Sequence, residues 1–291
     1  MQALAQVALI GFGEAATAFV KGWGDYRPEK VTAYDIKTDS EITRAAKLAD
    51  YHAAGINGVM DLESAIAGAD AIFSLVSADQ AGRAASSAAR IIRAGQFFFD
   101  CNSCSPDTKK TNAGLIEAAG GFYIDAAVMA PVSRDLHHTP LLISGVAGES
   151  AIKLLSVLDM KAQLISGGVG KPSSIKMIRS IMIKGLEALN AECLLAARKA
   201  GVDQTILRSL EKSFPGFGWE KQSGYMLERM MVHGVRRAAE MSEVAKTIEQ
   251  LGLSDAMTRS TIEWQQRIGD MQLQPESEEF GSLADLVLEK L

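Results

Sequence analysis

Three groups of residues have the types and spacing to do chemistry. The first is the string GFGEAA from Gly11 to Ala16, which directly follows an apolar run and opens a helix-like stretch. In such a string the first glycine, Gly11, permits a tight turn, and Gly13 lets backbone approach a pyrophosphate. The small Ala16 allows close packing of helix on strand. Phosphate rests on the exposed N–H groups and the positive end of such a helix, so Phe12, Glu14 and Ala15 join the two glycines as candidate cofactor-binding residues. An acid at the end of the second apolar run, Asp35, completes the pattern about 20 residues further on. Its carboxylate suits ribose hydroxyls and repels a 2′-phosphate, which favours NAD, while Lys37 beside it leaves NADP open.

The second group is the turn DCNSCSPDTKK after the run QFFFD. Ligands of doubly wound folds lie beyond the carboxyl ends of strands, so Ser103 is placed to bind a substrate carboxylate or hydroxyl. Ser105 is the better candidate for capping the helix that Pro106 begins. The third group is Lys176, Arg179 and Ser180 in GGVGKPSSIKMIRS. They stand at i, i+3 and i+4 and so share one helix face. Oxidation of an alcohol needs a group that takes the hydroxyl proton, and a lysine desolvated beside another cation is suited to that task. On spacing alone, a lysine on a helix reads first as a surface charge, because helices carry many lysines.

The elements that must position these groups follow from periodicity. Candidate strands are residues 6–10, 30–35, 71–76, 96–100, 122–128 and 141–144, interleaved with helical stretches at 14–22, 40–53, 79–93 and 106–119. Consecutive apolar positions in AIFSLV and QFFFD fit strands buried on both faces of a parallel sheet. The succession predicts an α/β fold: an N-terminal doubly wound (Rossmann) parallel sheet over residues 1–170. From 171 the chain reads as an all-α C-terminal domain. A long first helix carries an apolar stripe at Ile178, Met182, Leu186, Leu189 and Cys193. Further helices follow at 203–212, 219–232, 236–250 and 254–268.

Composition limits the function classes. With 47% hydrophobic and 22% charged residues over 291 positions, the chain is long enough for two globular domains. A formal net charge of −5 argues against a nucleic-acid partner or an anionic membrane surface. No run is long and apolar enough to span a bilayer, and the N-terminal stretch reads as a first strand rather than a signal peptide. Three cysteines do not make a disulfide framework, so a reducing cytoplasm is expected. Cys101 and Cys104 form a C-x-x-C without further ligands at metal spacing, and the tandem His137-His138 would have to be recruited across space. No metal site is expected, and the cysteines read as loop packing.

In order, GFGEAA, LVSADQA, DCNSCSP, YIDAAVMAPV and GGVGKPSSIKMIRS resemble the sequence marks of the β-hydroxyacid dehydrogenases. That family includes the 3-hydroxyisobutyrate, tartronate semialdehyde and 6-phosphogluconate enzymes. The resemblance covers nearly the whole chain. It implies that Gly11, Gly13, Asp35, Val76 and Ser77 line NAD, that Ser103 and backbone near Ala130 hold a small hydroxy acid, and that Lys176 is the catalytic acid/base. Arg179 or Ser180 would orient the substrate or the lysine. It also implies a cleft between the domains and a homodimer formed through the helical one.

There are departures. The second substrate loop carries two glycines in the family, whereas here it reads DAAVMAP from Asp125 to Pro131. Pro131 has no N–H to offer, and Met129 puts apolar bulk beside the substrate. Ser180 replaces an asparagine, and Arg179 stands where the phosphogluconate enzymes have histidine. The segment HGVRRAAEMSEVAKTIEQLG is similar to a poorly characterised phosphogluconate dehydrogenase-like branch. Through that likeness His233 is a candidate substrate contact and Arg236 a candidate cofactor contact, with a solvated basic turn as the alternative. The expected activity is hydride transfer between a nicotinamide cofactor and a CH–OH group. An imine reductase, or a cofactor-binding protein without turnover, is the rival.

Overall fold

A computed structural model describes residues 4–291. The chain divides into two compact units, the first ending at Lys176 and the second starting at Met177.

In the first unit the elements run β1 (Gln6–Ile10), α1 (Glu14–Trp23), β2 (Lys30–Tyr34), α2 (Glu41–Ala53), β3 (Asn57–Gly58), α3 (Leu62–Ile66), β4 (Ala71–Ser74), α4 (Ala81–Ala89), β5 (Phe97–Asp100), α5 (Pro106–Ala118), β6 (Phe122–Val128), α6 (Val132–Asp135), β7 (Leu141–Ser144), α7 (Gly148–Val157) and β8 (Ala162–Leu164). The strands form one sheet of order β3-β2-β1-β4-β5-β6-β7-β8. Pairing is parallel from β3 through to β6. The sheet is therefore mostly parallel rather than wholly so, because β7 pairs antiparallel with β6 and β8 runs parallel to β7. A parallel pairing would need a full crossover, and the β6–β7 connection instead folds locally around the short α6.

Both faces of this sheet are covered, so its central strands are apolar on consecutive positions along most of their length. Alternate residues serve opposite layers. Val7, Leu9, Phe73 and Phe99 pack with Phe19, Trp23 and Leu155 on the face of α1 and α7. Ala8, Ile10, Ile72 and Phe98 pack with Ile66, Ala85, Ala88 and Ile116 of α3, α4 and α5 on the other. The Phe73 and Phe99 rings stack at 4.7 Å between centroids, which fixes β4 against β5.

Charge is nonetheless buried where β5 and β6 end. Lys109 of α5 donates to the Asp100 backbone oxygen at 2.6 Å and to Asp100 Oδ1 at 2.9 Å, and stands 3.5 Å from Asp125 Oδ1. All three side chains are fully buried. Asp100 Oδ2 also accepts from Tyr123 Oη (2.7 Å) and Asn112 Nδ2 (3.1 Å). Burial opposes the charge on Asp100, but the Lys109 ammonium and these donors outweigh it and hold the carboxyl below its ordinary range. Burial likewise opposes the charge on Lys109, and the two carboxylates outweigh it, keeping the lysine above its usual range.

The second unit is helical. The long α8 (Lys171–Lys199) starts in the first unit and continues into it, followed by α9 (Asp203–Ser213), α10 (Trp219–Gln250), α11 (Ala256–Asp270) and α12 (Phe280–Leu288). Its core gathers Leu194, Leu195, Met230, Met231, Ile268, Leu283 and Val287. Sequence patterning splits α10 near His233–Val235, but the helix runs unbroken through Gly234. A Cβ at Gly234 would stand 2.3 Å from the Gln265 carbonyl oxygen, and one at Gly269 would stand 2.5 Å from the Val235 nitrogen. Gly234 therefore permits backbone contact between α10 and α11 and does not mark a helix end. Among the described residues no helix is long and apolar enough to cross a membrane.

Lys109→Met leaves two buried carboxylates without their cation and should cost about 3–5 kcal/mol of unfolding free energy, measured by urea denaturation. Because the folded-state pKa of Asp100 is depressed, its contribution is complete above about pH 4 and is lost as pH falls through the folded value. The raised folded-state pKa of Lys109 gives a contribution that is complete below about pH 10 and is lost as pH rises through the folded value. The difference between wild type and variant should thus be largest near neutrality and shrink below about pH 4. An equal difference at pH 7 and at strongly acidic pH would contradict the assignment.

Candidate active site

The turn after β1 is built around Gly11. Its φ is +85°, and a Cβ there would stand 2.8 Å from the Leu75 carbonyl oxygen, so any side chain is both strained and obstructed. The Gly11 N–H donates to the Tyr34 oxygen at 2.8 Å, locking the turn to the end of β2. Gly13 precedes α1 as its cap without a side-chain hydrogen bond, and nothing lies within 4 Å of where its Cβ would stand. An uncapped helix start with open space over it suits a diphosphate. Glu14 is exposed and Ala15 half-buried beside it.

Phe12 serves differently. Its ring is buried against Tyr51, 5.2 Å between centroids, and its N–H donates to Asp35 Oδ2 at 2.8 Å. Asp35 Oδ1 accepts the Lys37 N–H at 2.9 Å. The carboxylate is thereby held at the tip of β2, half-exposed, with lone pairs remaining for two hydroxyls. Val76 and Ser77 follow β4. Val76 is half-buried, with its N–H donated to Asn102 Oδ1 at 2.7 Å, and Ser77 is exposed.

Asn102 links this side to the Ser103 turn. Its Nδ2 donates to Ser74 Oγ at 2.9 Å and to Asp100 Oδ1 at 2.8 Å. On the other side of Ser103, Ser105 caps α5 by accepting the Thr108 N–H, with Pro106 in the first turn. Both neighbouring cysteines are buried and form no disulfide. Burial pushes the Cys101 thiol up to about 12, against the lowering effect of Lys109, so it is a neutral packing group.

The start of α8 is fixed by Asp125. Its Oδ2 accepts the N–H groups of Gly170 (3.0 Å) and Ser173 (3.3 Å), and its Oδ1 accepts Ser173 Oγ at 2.7 Å. An acid accepting the first N–H groups of a helix is a cap. One turn later Lys176 Nζ donates to Ser103 Oγ at 2.8 Å. Two residues 73 positions apart in the chain thus meet as an amine and a hydroxyl, a pair able to pass a proton and to bind a polar substrate oxygen.

The other candidate residues fall as follows. Met129 and Ala130 are half-buried at the end of β6, and the Met129 N–H is donated to the Pro140 oxygen at 2.9 Å. In the second unit Arg179 is exposed, while Ser180 is buried and accepts from Lys184 Nζ at 3.4 Å. His233 is half-buried, and Arg236 pairs with Glu240 Oε1 at 2.7 Å.

Sequence reasoning missed Asp100, Asn102 and Lys109, which hold the Ser103 turn in place, and it gave Asp125 no role. A lysine in DTKK reads as surface charge. The available signal was a pair of acids, Asp100 and Asp125, ending or interrupting strands that are otherwise apolar. Buried carboxylates need a cation or donors, and Lys109 is the helical residue that can supply one.

Residues 6–169 match the family described as the NAD binding domain of 6-phosphogluconate dehydrogenase, and residues 197–268 match a domain of unknown function, DUF1932. A conserved hypothetical protein from Sinorhizobium meliloti 1021 is 35% identical, with 99% of this chain and 97% of that one covered at a TM-score of 0.73. The conserved protein MTH1747, of unknown function and described as structurally similar to 3-hydroxyacid dehydrogenases, is 27% identical over 91% of this chain and 97% of its own, at 0.68. Mycobacterium tuberculosis 3-hydroxyisobutyrate dehydrogenase with L-serine shares the fold at 13% identity and a TM-score of 0.69, over 98% and 99% of the two chains.

Gly11→Ala should lower stability by about 1–3 kcal/mol, from the left-handed backbone and the Leu75 contact. It should also abolish saturable nicotinamide dinucleotide binding in a fluorescence titration. Wild-type affinity in the variant would show that the turn does not carry the phosphates.

Proposed function

Because the chain belongs to the family of the 6-phosphogluconate dehydrogenase NAD-binding domain, we propose that it is a nicotinamide-dependent dehydrogenase acting on the CH–OH group of a small hydroxy acid or related alcohol. The observation that carries the reading is the 2.8 Å hydrogen bond from Lys176 Nζ to Ser103 Oγ, supported from below by two buried aspartates.

The cofactor fits the residues present: a Gly11 turn with no room for a side chain, open space at Gly13, and a carboxylate, Asp35, set for ribose hydroxyls. Bound there, a nicotinamide supplies the hydride acceptor. Lys176, as the free amine, takes the proton from the substrate hydroxyl oxygen and returns it in the reverse direction. The Ser103 hydroxyl binds the substrate carboxylate or hydroxyl and keeps it beside Nζ. Its backbone does not wander, because Asn102 and Ser105 are tied on either side of it. Met129 adds apolar bulk at the end of β6, favouring a substrate with some hydrocarbon character, and the Ala130 backbone contributes to positioning. Arg179 and Ser180 follow Lys176 on the same helix and would orient the lysine. The Asp35 carboxylate repels a 2′-phosphate, so NAD is preferred over NADP. The bound L-serine described for the mycobacterial relative is itself a 3-hydroxy acid, and compounds of that class head the substrate panel.

A second copy of the chain is the proposed partner. The α8 stripe expected from the sequence lies on the outer face of the helix, with Ile178 48%, Met182 72% and Leu189 57% exposed, while Ser180, Lys184 and Glu187 are buried. An apolar face turned outward along one helix suits self-association.

Assayed with NAD and NADP against a panel of 3-hydroxy acids, wild type should reduce NAD with at least one member and prefer it over NADP. Lys176→Ala should lower kcat by about 10²–10⁴-fold while leaving cofactor affinity unchanged. Activity of the variant within a few-fold of wild type would remove the lysine from the chemistry. Tight cofactor binding with no turnover across the panel would favour a sensor, and imine reduction without alcohol oxidation would favour an imine reductase. By light scattering wild type should have the mass of a dimer and Met182→Glu that of a monomer. A monomeric wild type would overturn the self-association.

A further inference from the structure

The connection from β6 to β7 carries a feature that the dehydrogenase reading does not use. His137 and His138 follow α6 in a short helical turn, and Asp159 lies in the turn between α7 and β8. One ligand atom from each of the three lies within 4.8 Å of the others. His138 Nε2 is 2.7 Å and His137 Nε2 is 3.7 Å from Asp159 Oδ2, and the two imidazoles lie with centroids 4.0 Å apart and planes tilted by 35°.

His137 is the informative member. It is only 7% exposed, and neither of its ring nitrogens has a hydrogen-bond partner. Buried polar atoms are nearly always satisfied, and an orphan points to a missing water or ion. The ring is held in place by α1: a Cβ at Gly22 would fall 2.3 Å from His137 Nδ1. With Nδ1 against that backbone, Nε2 is the nitrogen on the side of Asp159. The residues that aim the cluster also adopt an uncommon backbone, since Leu136 (φ +50°) and Asp159 (φ +52°) are left-handed without being glycine.

We propose that His137, His138 and Asp159 form a binding site for a divalent transition-metal ion of the zinc class. Two imidazole nitrogens and one carboxylate oxygen are a ligand set such ions favour. Bonds of about 2.0–2.1 Å in tetrahedral geometry place ligand atoms about 3.3 Å apart. The 2.7 Å contact must open and the 3.7 Å contact close by roughly half an ångström each, and the two imidazole nitrogens, within 4.8 Å of each other, must draw together by rotation of the half-exposed His138. The half-exposed His138 and Asp159 leave the fourth position to water. Nδ1 of His137 has no carboxylate or carbonyl acceptor behind it, and such support is worth about 10–100-fold in affinity. A micromolar site is therefore expected rather than a nanomolar one. Bound metal clips the β6–β7 connection to the turn before β8, against the end of α1, and it stabilises the first unit without taking part in proton transfer at Lys176.

The test uses the full-length, tag-free chain freed of metal by chelation. Equilibrium dialysis against zinc should give one ion per chain, and cobalt(II) should give the visible absorption of a tetrahedral N/O site without a thiolate charge-transfer band. His138→Ala and Asp159→Asn should each weaken zinc binding by about tenfold or more. Asparagine tolerates the left-handed backbone at 159, so the second variant stays informative if the first misfolds, as judged by near-UV circular dichroism. No stoichiometric zinc binding by wild type, binding undiminished in both variants, or a thiolate band lost on Cys101→Ser would each overturn the site.

Discussion

The ion cluster of Asp100, Lys109 and Asp125 is the constraint on which the candidate site depends. It lies among residues with no solvent access, where a single uncompensated charge would cost several kcal/mol, so its geometry is tightly specified. Lys109 binds the end of β5 to α5, which sets the turn that carries Ser103. The same cation sits beside Asp125, which receives the first N–H groups of α8 and sets the phase of that helix. Lys176 meets Ser103 because both are anchored to one buried charge system. The Lys176–Ser103 pair, the proposed substrate contact, is half-exposed, whereas Asp100, Lys109 and Asp125 are fully buried.

Much of this was legible in the sequence. Strands such as QVALI and AIFS announce themselves because both sheet faces are covered and no polar alternation interrupts them. The Gly11 turn is legible because only glycine fits the left-handed backbone beside the Leu75 carbonyl. Lys176 and Ser103 were legible through the order of several motifs, since neither stands out by spacing alone. Lys109 was not, because burial of a lysine depends on two acids brought near it by strand pairing. The gap left at residues 233–235 has a related cause. Only the crossing of α10 over α11 shows that Gly234 makes room for backbone inside one continuous helix. The apolar stripe on α8 was legible as a helical period, but not which way it faces: the helix buries its polar side at Lys184 and Glu187.

That inversion is a second use of buried charge. Lys184 pairs with Glu240 at 2.9 Å, and Arg237 pairs with Glu187, which also accepts from Gln265 Nε2 at 2.8 Å. Paired and hydrogen-bonded in this way, the groups contribute more to a unique packing register than to net stability. The helix is then free to present apolar residues outward. In both units buried polar contacts set the phase of α8.

The central claim is that Lys176 and Ser103 together contact the substrate. It is tested most directly by a structure of the chain with a nicotinamide cofactor and a small 3-hydroxy acid bound. The account predicts the substrate hydroxyl oxygen within about 2.6–3.2 Å of Lys176 Nζ, with Ser103 Oγ bonded to the same molecule. A Lys176 side chain turned to solvent, with the substrate bound away from Ser103, would contradict it.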